Sequence, residues 1–185
     1  MASGGETSGE TSGETGGEAG VQDERTGHAP DAAPGAASGE RQGDLRGDEK
    51  LAALLRSART IAVIGIKNRE QEDAFRIPQY LQRAGYAIVP VNPKLGSVLG
   101  EPCHPSLAQV DRPIDIVNLF RASEHVPAHV DEILALDPRP KAVWMQLGIH
   151  HGPSAQRLRD AGIEVVQDRC IMVDHRRLIG APAAP

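Results

Sequence analysis

The sequence predicts an α/β protein in which a parallel sheet of about five strands carries helices on both faces. Three observations lead there. Short apolar runs recur without polar alternation, the habit of strands buried on both sides. Between them lie stretches of about ten residues with helical apolar spacing, and strand–helix alternation of this kind builds right-handed βαβ units. Ahead of both stands a polar, acidic segment of quite different composition.

That segment sets the domain boundary. The chain has 185 residues and a formal net charge of −5, which describes neither part of it. Residues 1–49 hold eleven acidic and three basic side chains, whereas residues 50–185 hold seventeen basic and fourteen acidic ones. The first part offers little apolar bulk beyond Val21 and Leu45 and spaces Glu6, Glu10, Glu14 and Glu18 through Ser, Thr and Gly. Too little surface can be buried there to offset the entropy of ordering. The expectation is a disordered, solvating tail over 1–49, then one domain over 50–180. The tail lacks the build of a secretory signal, and no apolar run approaches the roughly 20 residues that span a bilayer. Cys103 and Cys170 are too few for a disulfide framework and too far apart for a metal knuckle. These features predict a soluble, cytoplasmic protein with reduced thiols and no membrane partner.

The first strand is Thr60-Ile61-Ala62-Val63-Ile64-Gly65. Phe75, Ile77, Tyr80 and Leu81 then recur at helical spacing, with Pro78 assigned to the first turn and Gly85 just past the helix end. Tyr86-Ala87-Ile88-Val89-Pro90-Val91 is the second strand. A weaker strand includes Pro102 and Cys103, followed by a short helix around Leu107. Residues 115–120 form a strand and 126–136 a helix with Val126, Val130, Ile133 and Leu134 inward. Residues 141–147 form a strand with Trp144 in the core, 154–161 a helix, and 163–167 the last main strand.

In such sheets, which are Rossmann-like, ligands bind outside the carboxyl ends of the strands, where strand order reverses. The rule selects residues 65–68, 91–94, 120–122, 146–149 and 168–170. Gly65 permits a tight turn into a helix whose N-terminal N–H groups suit an anion. Lys67, Arg69, Arg76, Lys94 and Arg121 fall at or near this edge, a cationic rim suited to a phosphate-rich ligand. The glycine fingerprints of dinucleotide and P-loop sites are missing, and Asn92-Pro93 replaces the acidic residue that grips an NAD ribose. A net charge of +3 over the domain gives little footprint for nucleic acid.

Five motifs in order resemble the stand-alone CoA-binding protein family. They are residues 61–65, Pro90-Val91-Asn92-Pro93, Asp115-Ile116-Val117-Asn118-Leu119-Phe120-Arg121, residues 143–149, and Asp168-Arg169-Cys170-Ile171-Met172. That family is similar to the N-terminal domain of the succinyl-CoA synthetase alpha subunit and of NDP-forming acyl-CoA synthetases. The resemblance implies coenzyme A, or an acyl-CoA, lying across the strand ends. The diphosphate would lie by Gly65, Ile66, Lys67 and Arg76, and the adenine and ribose by Val91, Asn92, Pro93 and Lys94. The pantetheine arm would pass Phe120 and Arg121 toward Gln146, Leu147 and Gly148. The first loop, Ile66-Lys67-Asn68-Arg69, is bulkier and more basic than in many relatives. The synthetase subunit continues into a domain whose histidine is phosphorylated; no such domain is expected here, so binding without catalysis carries over. The alternative is an accessory subunit of an acyl-CoA ligase working with a separate ATP-grasp chain. A homodimer is left open.

Other chemistry is weaker. His150, His151 and His175 lack helical ligand spacing and a partner carboxylate, and are expected to be ordinary loop residues without metal. Cys170, beside Arg169, suggests a thiol able to exchange with that of CoA; the plainer reading is a small residue buried after a strand.

Overall fold

The computed structural model describes residues 47–182. The expectation for the tail thus falls, but for three residues, outside the described part. Asp48 and Glu49, assigned to the tail, open helix α1 (Asp48–Ser57).

The elements then run β1 (Thr60–Ile64), α2 (Asp73–Arg83), β2 (Ala87–Val91), β3 (Ser97–Val98), β4 (Glu101–Pro102) and β5 (Ile116–Leu119). After them come α3 (Pro127–Leu134), β6 (Ala142–Met145), α4 (Gly152–Asp160), β7 (Glu164–Val166) and α5 (Ile171–Leu178). Five strands form one sheet in the order β2-β1-β5-β6-β7, and every neighbouring pair is parallel. The chain leaves β1 toward one edge and returns to β5 on its other side, so strand order reverses between β1 and β5. The α/β architecture with helices on both faces is the one the sequence predicts.

Side chains alternate across the sheet and separate two cores. Ile61, Val63, Ile88, Ile116 and Trp144 face α1, α2 and α5, while Ala62, Ile64, Val89, Val117, Leu119 and Met145 face α3 and α4. Trp144 is fully buried, as expected.

Three local outcomes differ from the sequence reading. Pro78 lies inside α2, not in its first turn. Proline lacks the N–H that would bond the carbonyl four residues back, so the carbonyl of Ala74 is released; it accepts from the Lys67 N–H at 3.2 Å instead. Pro102 belongs to a separate antiparallel hairpin with β3, and only His104 reaches the main sheet, beside Val91. The hairpin turns through Leu99 and Gly100, both left-handed at φ +57° and +79°, the pair of angles a two-residue type I′ turn demands. Leu99 is held there in part by Gln82 Nε2, which donates to its carbonyl at 3.0 Å. Finally, α5 follows the last strand over residues to which the sequence pattern assigned no element. Gly85 does close α2: it is left-handed, and the Tyr86 N–H donates to the Leu81 carbonyl, completing a Schellman cap.

Candidate functional site

The loops leaving β1 and β5 meet at the reversal point. Gly65 has φ +83°, and a Cβ there would lie 2.5 Å from the Phe120 carbonyl oxygen and 2.8 Å from Arg121 Cδ. Any side chain would drive the two loops apart, so this close approach requires glycine. The Gly65 N–H donates to the Val91 carbonyl at 3.0 Å, joining the end of β2 to the same corner. Asn92 secures it further: its Nδ2 donates to the Ile66 carbonyl at 2.8 Å and its Oδ1 accepts from the Lys94 N–H at 2.9 Å. With the Lys67–Ala74 bond, three backbone segments are fixed around one glycine turn.

Beside this corner, on the α2 and α5 face, opens a cleft of about 300 Å³. Its walls are Ala74 and Ile77 of α2, Phe120 and Ala122 after β5, Leu147 and Ile149 after β6, and Cys170. Asp73, Arg121 and Gln146 supply the polar lining. Gln146 is only 3% exposed, and its Nε2 donates to Asn118 Oδ1 at 2.9 Å. Asn118 is fully buried, and its Nδ2 has no hydrogen-bond partner. Leu147, by contrast, is 70% exposed at the rim.

The turn bearing Cys170 is anchored from several sides. Asp168 adopts a left-handed φ of +52°, and its Oδ1 accepts from the Gly148 N–H at 2.6 Å. Trp144 Nε1 donates to the Arg169 carbonyl at 2.7 Å. The Arg169 guanidinium makes two bonds, of 2.9 and 2.6 Å, to the buried Asp174 carboxylate. That cation is therefore engaged with α5. Cys170 occupies the N-cap position of α5, and its side chain does not cap the helix.

Of the sequence-predicted residues, Phe120, Arg121, Gln146 and Leu147 line the cleft, and Gly65 forms its corner with Phe120 and Arg121. Gly148 is held at the edge by Asp168. Lys67, Pro93 and Lys94 are exposed on the neighbouring loops, and Val91 is buried. Ile66 is fully buried in the α2-side core, so only its backbone is offered to the loop. Arg76 lies 3.5 Å from Asp73. Asp73, Ala74 and Ile77 were absent from that prediction; the signal was available, since the helix following a glycine turn must present its first turns to the same corner. Cys170, which falls among the strand-end residues 168–170, lies in the cleft wall.

The histidines are dispersed. His151 Nδ1 accepts from the Ser154 N–H at 3.2 Å and so caps α4, and the His150 N–H donates to Ser123 Oγ at 3.1 Å. His175 lies buried among α1, α2 and α5, sharing a 2.9 Å hydrogen bond with the Tyr80 hydroxyl. Burial lowers the His175 pKa, and it pushes that of Tyr86 up to about 12. Among the described residues, no three His, Cys, Asp or Glu side chains gather to hold a metal.

A family model described as a CoA binding domain matches residues 59–176. The protein YneT of Bacillus subtilis (strain 168) is 36% identical over 126 residues, covering 68% of this chain and 92% of its own. A solved structure of ID.343 from Thermus thermophilus is 41% identical with a TM-score of 0.69, covering 72% of this chain and 99% of that one. A Pyrococcus horikoshii OT3 protein is 31% identical at the same TM-score, covering 72% and 93%.

Proposed function

The chain belongs to the CoA-binding domain family, and from that premise we propose that it holds coenzyme A, or an acyl-CoA, across the carboxyl ends of β1, β5 and β6, without turnover of its own. The observation that carries this reading is the glycine corner. At the strand-order reversal, Gly65 lets two loops approach to where a Cβ would collide with the Phe120 carbonyl, and a cleft opens beside it. In open α/β sheets this is where ligands sit.

The residues present fit the group. A diphosphate by Gly65 meets the exposed Lys67, Lys94 and Arg121, which supply positive charge. The Val91, Asn92, Pro93 and Lys94 loop offers a fixed edge for the adenine and ribose. The pantetheine arm, apolar in its stem and polar at its amides, matches a cleft walled by Ile77, Phe120, Leu147 and Ile149 over a polar Gln146. The part coenzyme A would supply is its thiol, by which acyl groups are carried; the chain's own residues bind and orient it.

Thermal unfolding of the full chain tests the reading against CoA, dephospho-CoA, ATP and NAD. CoA at 100 times its dissociation constant is expected to add about 2.7 kcal/mol, and acetyl-CoA recovered after long incubation is expected to be intact. Stabilisation by NAD with none by CoA overturns the ligand, and a consumed thioester overturns the absence of turnover.

A further inference from the structure

We propose that Cys170 captures the thiol end of the bound ligand as a mixed disulfide, making the cleft a site of reversible covalent retention; this rests on the CoA-binding reading above. Cys170 is half-buried in the wall of the cleft and is a free thiol. The other cysteine differs: Cys103 Sγ donates to the Asn92 carbonyl at 3.4 Å, and burial raises its pKa.

A second observation points to what enters. Asn118 stands two residues before Phe120, so both side chains project from the same face of the sheet. Its one side-chain partner, Gln146, lines the cleft, and Asn118 Nδ2 is left buried without an acceptor. A buried orphan donor of this kind is uncommon in native proteins. Gln146, to which it is bonded, is the cleft residue beside it, and a ligand that turned Gln146 aside would offer this amide a carbonyl. A chain bearing amide carbonyls and ending in a thiol answers both features: a carbonyl for Asn118, a sulfur for Cys170. Around them Ile77, Phe120 and Ile149 keep the inner walls apolar.

The step is thiol–disulfide exchange with CoA disulfide. Cys170 Sγ gives up its proton and attacks one sulfur of the CoA disulfide; the S–S bond of that molecule breaks as the Cys170–CoA bond forms. The departing CoA thiolate takes up a proton. The oxidising equivalent comes entirely from the CoA disulfide, and a second thiol reverses the step. The second CoA leaves through the open side, where Leu147 stands exposed.

Intact-mass analysis of the full chain treated with CoA disulfide is expected to show one added CoA less two hydrogens, removed by dithiothreitol. Peptide mapping of the unmutated protein is expected to put it on Cys170, with the adduct lost in Cys170→Ser and kept in Cys103→Ser. Because the bound disulfide is held at the thiol, reaction should be about tenfold or more faster than with oxidised glutathione at equal concentration. Equal rates with the two disulfides, or an adduct mapped to Cys103, overturn the proposal. CoA that stabilises the protein but leaves no adduct on Cys170 removes this inference and spares the binding reading. Neither stabilisation nor adduct removes both.

Discussion

The two faces of the sheet are built from different chemistry. The face under α3 and α4 is packed with Val, Leu, Ile, Ala and Met side chains from Ala62 to Val165. The face under α1, α2 and α5 buries Asn118, Gln146, Asp174 and His175 among its apolar residues, together with Tyr80, Tyr86 and Trp144. Apolar contacts are interchangeable and add up to stability, whereas buried polar groups must each find a partner and are retained where they specify something. The cleft opens on the polar face, and it does so where one buried donor lacks a partner. The molecule thus divides its labour: one face holds the sheet, and the other carries the cleft proposed for the ligand.

Substitutions on the two faces should separate accordingly. The largest effect on stability belongs to the apolar face. Leu158→Ala in α4, at a fully buried site, is expected to cost about 2–5 kcal/mol in denaturant unfolding, with CoA affinity unchanged where the protein remains folded. Next comes Gly65→Ala at the corner. Left-handed strain there is of order 1–3 kcal/mol, and the clash with the Phe120 carbonyl should also weaken CoA by more than the strain alone suggests, as read by calorimetry. An unchanged dissociation constant would detach the corner from binding. Arg121→Glu inverts an exposed charge beside the cleft and is expected to shift stability by no more than about 0.5 kcal/mol while lowering CoA affinity about tenfold, more at low salt than at high.

The smallest effect is in pH. Burial holds both His175, on the polar face, and His129, on the apolar face, below the usual histidine value of 6.5. Both therefore take up protons less readily in the fold than in the unfolded chain, which does so near that pH. Below it the unfolded state binds more protons, so stability is full above about pH 6.5 and is lost as pH falls. At His129 the neighbouring Glu132 opposes burial while Arg121 and His125 reinforce it; at His175 the lowering comes from burial. His175→Gln and His129→Gln should each flatten the fall in melting temperature between pH 7 and 5. An unchanged fall in either variant would mean that burial does not hold that imidazole below its usual value.

The same division explains what could be read from the sequence. The strands were legible because their interior demands apolarity on both faces: residues 60–65, 86–91 and 115–120 each contain the strand observed. Helix α5 was not, because its buried side includes Asp174 and His175 while Val173 is 56% exposed, an inversion of the pattern that periodicity detects. Helix α1 carried a readable stripe in Leu51, Leu54 and Leu55, but the acidic composition drew attention to the boundary instead. Pro78 was misplaced because its compensation is tertiary: the Ala74 carbonyl it frees is taken up by Lys67, from a loop before the helix. In the site, strand ends, cations and Cys170 could be located by rule, whereas Ile77 reaches the cleft only once α2 packs beside the β5 loop, and the Asn118–Gln146 bond forms only once β5 and β6 pair.

The measurement that meets the central claim most directly is a backbone amide NMR titration of the full chain with CoA. The account predicts that resonances of Gly65, Lys67, Arg121, Leu147, Gly148 and Cys170 shift together and saturate with one dissociation constant, while those of α3 and α4 stay in place. Shifts centred instead on the groove formed by Asp111, Arg112 and Asp137, or on the pocket beside Arg56, Arg59 and His175, would contradict it.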